Sequence, residues 1–207
     1  MNKSTTVFVV DDDDAVRMSL EAMLTASGYQ TRIFDSGAAF LESQRDCDAG
    51  CIVLDVRMPT ISGLEVLKIL KQEACRLPVI IMTGHGDIKM AIQAMKDGAF
   101  EFIEKPFSKE TILGAIESAA SAVPMNESVT PKDPALLRKI DRLTPREREV
   151  LDHLVIGNLN KVIAFELDIS PRTVEVHRAR VMEKMKATSL SQLVRMAIAA
   201  GLAPPTL

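Results

Sequence analysis

The chain has 207 residues and a net charge of only -3, long enough for one large or two small domains. It holds no apolar stretch near the roughly 20 residues that span a bilayer, and its first apolar run is four residues long before four aspartates, so a cytoplasmic protein with no signal peptide and no membrane partner is expected. The charge is uneven: residues 1–122 carry 12 basic and 18 acidic side chains, net -6, while residues 123–207 carry 13 and 10, net +3, which points to a cation for the first part and a polyanion for the second.

Along the first 120 residues, strand-like and helix-like segments alternate five times. Val7-Phe8-Val9-Val10 is a buried-strand run, followed by a helix whose apolar face is Val16, Leu20, Met23 and Leu24 and which Gly28 closes. Residues 30–34 read as a second strand and 37–44 as a short helix. Cys51-Ile52-Val53-Leu54 is the third strand, and the helix after it carries Leu64, Leu67 and Leu70. Val79-Ile80-Ile81-Met82 is the fourth strand, before a helix from about Asp87 to Asp97 with Ile88, Ala91, Ile92 and Met95. A fifth strand spans Phe100 to Glu104, and Ile112, Leu113, Ile116 and Ala120 build the last helix of the series. Repeated units of this length predict a doubly wound, five-stranded parallel sheet of the α/β class. Cys47, Cys51 and Cys75 have no metal-ligand spacing and read as reduced thiols.

Residues 123–139, with Pro124, Pro131 and Pro134, read as a linker between a first domain at 1–122 and a second at 140–207. The second is helical throughout. Thr144-Pro145-Arg146-Glu147 and Ser189-Leu190-Ser191-Gln192 have the capping-box pattern, Ser170-Pro171 is a hydroxyl cap with Pro at the first helical position, and Gly201 ends the last helix. About four helices form a small all-α bundle. Within it, a short helix over residues 158–167, the turn Asp168-Ile169-Ser170 and a helix from Pro171 to Met185 make a helix-turn-helix pattern. Val174, Val181 and Met185 are its buried stripe. Arg172, Thr173, Glu175, His177, Arg178 and Arg180 cover much of the rest, a face that suits phosphate and DNA.

Polar residues stand where the apolar strands of the first domain stop: Asp11-Asp12, Asp55, Thr83 and Lys105. In a parallel sheet these ends converge on the edge where α/β proteins bind ligands. Neighbouring carboxylates call for a cation, and Mg2+ takes one or two of them with water and phosphate oxygens. Asp55 is the candidate nucleophile for an aspartyl-phosphate. The Arg57 carbonyl is a further metal ligand, Thr83 a hydroxyl donor to a phosphoryl oxygen, and Lys105, before Pro106, a point charge over the phosphoryl group.

With the stretches VVDDDD, VLDVRMP, MTGHGD and FIEKPF, residues 5–122 resemble the receiver domain of bacterial two-component response regulators. The resemblance implies a flavodoxin-like fold and Mg2+-dependent phosphotransfer from a sensor histidine kinase to Asp55. It makes Asp11 and Asp12 the acid pair, Thr83 the switch hydroxyl, Phe102 the switch aromatic and Lys105 the phosphate-contacting lysine. Asp87, Ile88, Lys89, Met95 and Lys96 become candidate dimer contacts. Residues 140–203 resemble the DNA-binding domain of the LuxR and NarL families. By position, Glu175, Val176 and Ala179 then face base edges, Asn160, Lys161, Arg172, Thr173 and Lys184 approach phosphates, and His177 and Arg178 belong to the same DNA-binding surface. Taken whole, the chain resembles FixJ-type response regulators, which implies a phosphorylation-activated transcription factor that forms a homodimer, binds promoter DNA and works with RNA polymerase, in the FixJ case under oxygen control of nitrogen fixation. Two other readings stay open. A phosphatase of the haloacid-dehalogenase type would use Asp11 as nucleophile, although Ala15 stands where that signature needs Thr or Val. An interaction module would use the helical end to bind a protein.

Overall fold

The computed structural model describes residues 5–43, 49–84, 88–121 and 134–202. Cys47, Asp87, the linker residues 123–133 and the side chains of Ile88 and Pro134 lie outside the described residues, as do Gln44 and both termini. In chain order the first elements are β1 (Thr6–Val10), α1 (Asp14–Ala26), β2 (Gln30–Phe34), α2 (Gly37–Ser43), β3 (Cys51–Asp55), α3 (Gly63–Gln72), β4 (Val79–Thr83), α4 (Ile88–Asp97), β5 (Glu101–Glu104) and α5 (Lys109–Ser121). Helices α6 (Pro134–Ile140), α7 (Pro145–Val155), α8 (Asn160–Glu166), α9 (Pro171–Met185) and α10 (Leu190–Ala199) follow. The chain divides into two compact units, one holding the sheet with α1, α2, α3 and α5, the other holding α6 to α10 together with Ile88–Lys96.

All five strands pair in parallel, in the order β2-β1-β3-β4-β5. The expected doubly wound sheet is therefore present, with the flavodoxin-like order. From β1 the chain goes to β2 on one side, and from β3 to β4 on the other. The connections leave the two central strands in opposite directions and open a crevice at their carboxyl ends. The central strands are apolar on both faces because helices cover both: Val7, Val9, Cys51, Val53, Ile80 and Met82 share one core with Leu20, Leu24, Ile112 and Ile116. Edge strand β2 is polar instead. Its Arg32 guanidinium lies over the Phe8 and Phe34 rings at 5.5 and 5.6 Å, beside the Phe34–Phe40 edge contact.

Several helix faces differ from the pattern read along the sequence. In α3, Val66 is buried with Leu67 and Leu70, while Leu64 is only half-buried. In α5 the buried alanines are Ala115 and Ala119, and Ala120 is exposed. Both slips are one or two residues along a helix, a rotation that apolar spacing alone does not resolve when small residues sit on either side. In α1 the buried neighbour of Val16 is Arg17, a cation.

The helical unit packs Leu136 and Ile140 of α6 into the same core as Val150, Leu151, Ile163, Val174, Val181, Met185 and Leu193. Residues 134–139, read as linker, thus form helix and contribute core. The capping box at Thr144 and Glu147 is complete. At α10, Ser189 caps through the Gln192 N–H as expected, and the Gln192 side chain accepts from Thr188 N–H and hydroxyl.

Candidate functional site

Four strand ends supply the polar groups at the carboxyl edge of the sheet. Asp11, just past β1, donates its N–H to the Phe34 carbonyl at 3.2 Å, so its backbone continues the sheet for one residue more. Its carboxylate is 1% exposed: Oδ1 accepts from Asp13 N–H at 2.9 Å, and Oδ2 accepts from Lys105 Nζ at 2.7 Å. Asp55 closes β3 and is 7% exposed; its Oδ1 accepts from the same Nζ at 2.5 Å and its Oδ2 from Arg57 N–H at 2.6 Å. Lys105 follows β5, ahead of a cis bond to Pro106, and its N–H donates to the Thr83 carbonyl at 2.7 Å. One ammonium therefore ties together residues 94 and 50 positions away in sequence.

The backbone behind Asp55 is held as closely. Val56 N–H donates to the Met82 carbonyl at 3.0 Å, and Gly63 N–H to the Val56 carbonyl at 3.0 Å. A side chain at residue 63 would place its Cβ 2.1 Å from the Asp55 carbonyl oxygen. Only glycine lets α3 start this close to the end of β3.

With all three groups ionised, two carboxylates and one ammonium leave this cluster at net -1. Burial pushes the Asp55 carboxyl above its ordinary value and the Asp11 charge adds to that, while Lys105 and the Arg57 N–H pull the other way without overcoming it. For Lys105, burial pulls the ammonium down, but its bonds to Asp11 and Asp55 outweigh that and raise it above its ordinary value. Burial thus decides the direction for Asp55, whereas for Lys105 two anionic partners outweigh it. A pocket of this kind attracts further positive charge.

Of the polar residues expected at this edge, Asp11 and Asp55 are buried and share Lys105, the Asp12 side chain is exposed, and among the described residues no group of three or more His, Cys, Asp or Glu is placed to hold a metal. Thr83 is buried, and its hydroxyl reaches only the Gly84 carbonyl, at 3.5 Å. Phe102 is half-buried in β5. Two buried carboxylates beside main-chain oxygens still suit Mg2+, which dehydrates reluctantly and takes one or two carboxylates with water. Asp11 and Asp55 are the residues that fit it.

At the helical end, α8 and α9 meet through the turn at Asp168, whose φ of 53° lies in the left-handed region. Ser170 caps α9 through Thr173 N–H at 3.1 Å, with Pro171 next. Val174, Val181 and Met185 are fully buried. Arg172, Glu175, Val176, Ala179 and Arg180 are exposed, and so is Lys161 of α8; Thr173, His177, Arg178 and Asn160 are half-buried. Val176, an apolar residue 46% exposed on an otherwise polar face, has no packing role in this unit. Lys184 Nζ donates to Glu147 Oε2 at 2.6 Å and to the Arg142 carbonyl at 3.2 Å.

Sequence reasoning missed two ion pairs, each with one buried member. Glu147 reads as the last letter of a capping box, yet its side chain is 2% exposed and bonded to Lys184 as well as to Thr144 N–H at 2.8 Å. Burial alone raises Glu147; those donors outweigh it and hold the carboxyl below its ordinary value. Arg17 reads as an outward cation on α1, yet it donates to the Asp11 carbonyl at 2.6 Å and pairs with Asp14. A charged residue among apolar helical neighbours is the one signal that could have drawn attention to it. Burial drives the Cys51 thiol up to about 12, so it stays protonated and inert, while Cys75 is half-buried and also free.

Residues 7–117 match the family described as response regulator receiver domain, and residues 141–197 match bacterial regulatory proteins of the luxR family. The transcriptional regulatory protein FixJ of Azorhizobium caulinodans is 50% identical over 204 residues, covering 99% of this chain and 97% of that protein. FixJ of Rhizobium meliloti is 48% identical, covering 96% and 98%. Among solved structures, full-length FixJ from B. japonicum is 44% identical with a TM-score of 0.57, covering 98% of this chain and 100% of that one. Such proteins regulate transcription and are not classical enzymes, and receiver domains generally use Mg2+ at the phosphorylation site. A receiver and a DNA-binding domain on one chain imply a kinase and promoter DNA as partners. Two domain matches in the right order, and relatives alike from end to end, place the chain among the FixJ-like two-component response regulators, transcription factors that join a receiver to a LuxR-type DNA-binding domain.

Proposed function

We propose that Asp55 accepts the phosphoryl group from a sensor histidine kinase, and that this event converts the chain into a homodimer that binds promoter DNA. The observation that carries the reading is the shared ammonium: Lys105 Nζ lies 2.7 Å from Asp11 Oδ2 and 2.5 Å from Asp55 Oδ1. Asp55 is the acceptor of the pair because its carboxylate ends a central strand at the crevice, with the Arg57 N–H holding Oδ2 and only the Lys105 side chain, which can move, on Oδ1. Asp11, Asp12, Asp55 and the Arg57 carbonyl would hold Mg2+, which when bound would offset the charge on the phosphoryl oxygens. Lys105 then turns from the carboxylates to the phosphoryl group, and the Thr83 hydroxyl gives up its weak bond to Gly84 for a phosphoryl oxygen. That inward move opens room for Phe102 and reshapes the surface of α4 and β5.

Phosphorylation and dephosphorylation of its own carboxylate are the only chemistry of the chain. The receiver occupies residues 1–122 and the DNA-binding domain 140–207, with α6 extending the latter's core. Arg172, Thr173, Asn160 and Lys161 approach phosphates, Glu175, Val176 and Ala179 face base edges, and His177 and Arg178 support that surface. The protein acts in the cytoplasm with RNA polymerase, on the oxygen and nitrogen-fixation circuit that FixJ names bring to mind. Intact-mass measurement after acetyl phosphate and Mg2+ tests the acceptor: one phosphoryl group is expected on the wild-type chain and none on Asp55→Asn. Labelling of the variant at a comparable level would overturn the assignment.

A further inference from the structure

Arg17 is the fourth residue of α1, where a helix N-terminus disfavours a cation, and its side chain is only 11% exposed. Both circumstances are costly unless its partners compensate. Those partners are the Asp11 main-chain carbonyl at 2.6 Å and the Asp14 carboxylate. The first is the unusual one. The Asp11 N–H goes to Phe34 and its two carboxylate oxygens go to Asp13 N–H and Lys105, so Arg17 supplies the remaining bond of this residue. Without it a buried carbonyl at the end of β1 would have no donor, and the peptide joining Asp11 to Asp12 would be free to rotate.

We propose that Arg17 is a positioning residue for cation binding: by holding the Asp11 carbonyl it sets the directions in which the Asp11 and Asp12 carboxylates leave the strand. The inference rests on the reading of this edge as a Mg2+ site. It makes a prediction opposite in sign to the plain electrostatic one. If Arg17 were only a counter-ion to the four aspartates, removing it would make the pocket more negative and Mg2+ would bind more tightly. If it positions the loop, removing it weakens Mg2+ in spite of the added negative charge.

The test is titration calorimetry of Mg2+ into the unphosphorylated full-length chain, with thermal unfolding followed alongside. Arg17→Met is expected to weaken Mg2+ by about tenfold, the lower end of what one charge-assisted hydrogen bond is worth. Arg17→Lys keeps the charge but loses the planar fork, and is expected to fall between Arg17→Met and wild type. Asp14→Asn removes the exposed partner while leaving the bond to Asp11, and is expected to stay within about twofold of wild type. Mg2+ affinity equal to or tighter than wild type in Arg17→Met, with or without a lower melting temperature, would reduce Arg17 to a counter-ion or a brace. Should Arg17→Met fail to fold, wild-type affinity in Arg17→Lys would overturn the proposal in its place. A wild-type chain that takes up no Mg2+ would overturn the metal reading itself, ahead of any role for Arg17.

Discussion

Replacing Lys105 by Met would leave two buried carboxylates with no cation between them. Their side chains are 1% and 9% exposed, and the ammonium they share is 26% exposed. Removing one partner of a buried ion pair costs about 3–5 kcal/mol, and water at the open edge of the sheet screens part of that, so a loss of about 3 kcal/mol at neutral pH is expected. With a urea slope near 2 kcal/mol/M, the unfolding midpoint moves down by about 1.5 M. The sign of the pH dependence follows from Asp55, whose carboxyl already lies above its ordinary 3.8 through burial. Losing Lys105 raises it further. The folded variant then holds protons that the unfolded chain gives up, so its deficit shrinks as pH falls from about 7.5 toward 5. Mg2+ at neutral pH narrows the deficit in the same way, by restoring positive charge. Urea titrations of wild type and Lys105→Met, at both pH values and with or without Mg2+, measure all three effects. A deficit indifferent to both pH and Mg2+ would mean that Lys105 contributes packing and that the cluster is no electrostatic unit. Light scattering on the phosphorylated variant is expected to show no dimer.

Gly63→Ala drives a Cβ to 2.1 Å from the Asp55 carbonyl, so mass-detected phosphorylation should fall at least tenfold with about 2 kcal/mol of stability, whereas Gly114→Ala, with nothing within 4 Å, should stabilise α5 by about 0.5–1 kcal/mol. Lys184→Met strands the Glu147 carboxylate, and calorimetry should show the helical unit about 2 kcal/mol less stable at neutral pH. In wild type, the depressed Glu147 carboxyl contributes stability above its ordinary 4.5 that disappears as pH falls through the lower folded value; the variant should lose that acid-sensitive part. Arg172→Ala should reduce the slope of log affinity for promoter DNA against log salt by about one, and an unchanged slope would remove Arg172 from the phosphate contacts.

The strand ends were legible because each strand-like run gives way to polar residues, and a parallel sheet has one edge for all such stops. Asp11, Asp55, Thr83 and Lys105 needed no more than that. That Asp11 is buried and Asp12 exposed is not readable from two adjacent aspartates. The helical unit was equally plain, since the caps of α7, α9 and α10 at Thr144, Ser170 and Ser189 depend on neighbours three residues away.

Periodicity, caps and punctuation are local quantities, and they were enough for the five strands and the parallel sheet, while α6 lay in the stretch read as linker and the family came from the resemblance of the motif stretches. Partnership between distant side chains is not local. Lys105 could have faced solvent as readily as two aspartates, Lys184 gives no hint of Glu147, which comes to lie 2.6 Å away, and Arg17 looks exposed until the Asp11 carbonyl turns toward it. Each of these pairings arises only when packing brings the groups together and removes the water that would otherwise serve them, so the charge balance of the pocket belongs to the folded chain.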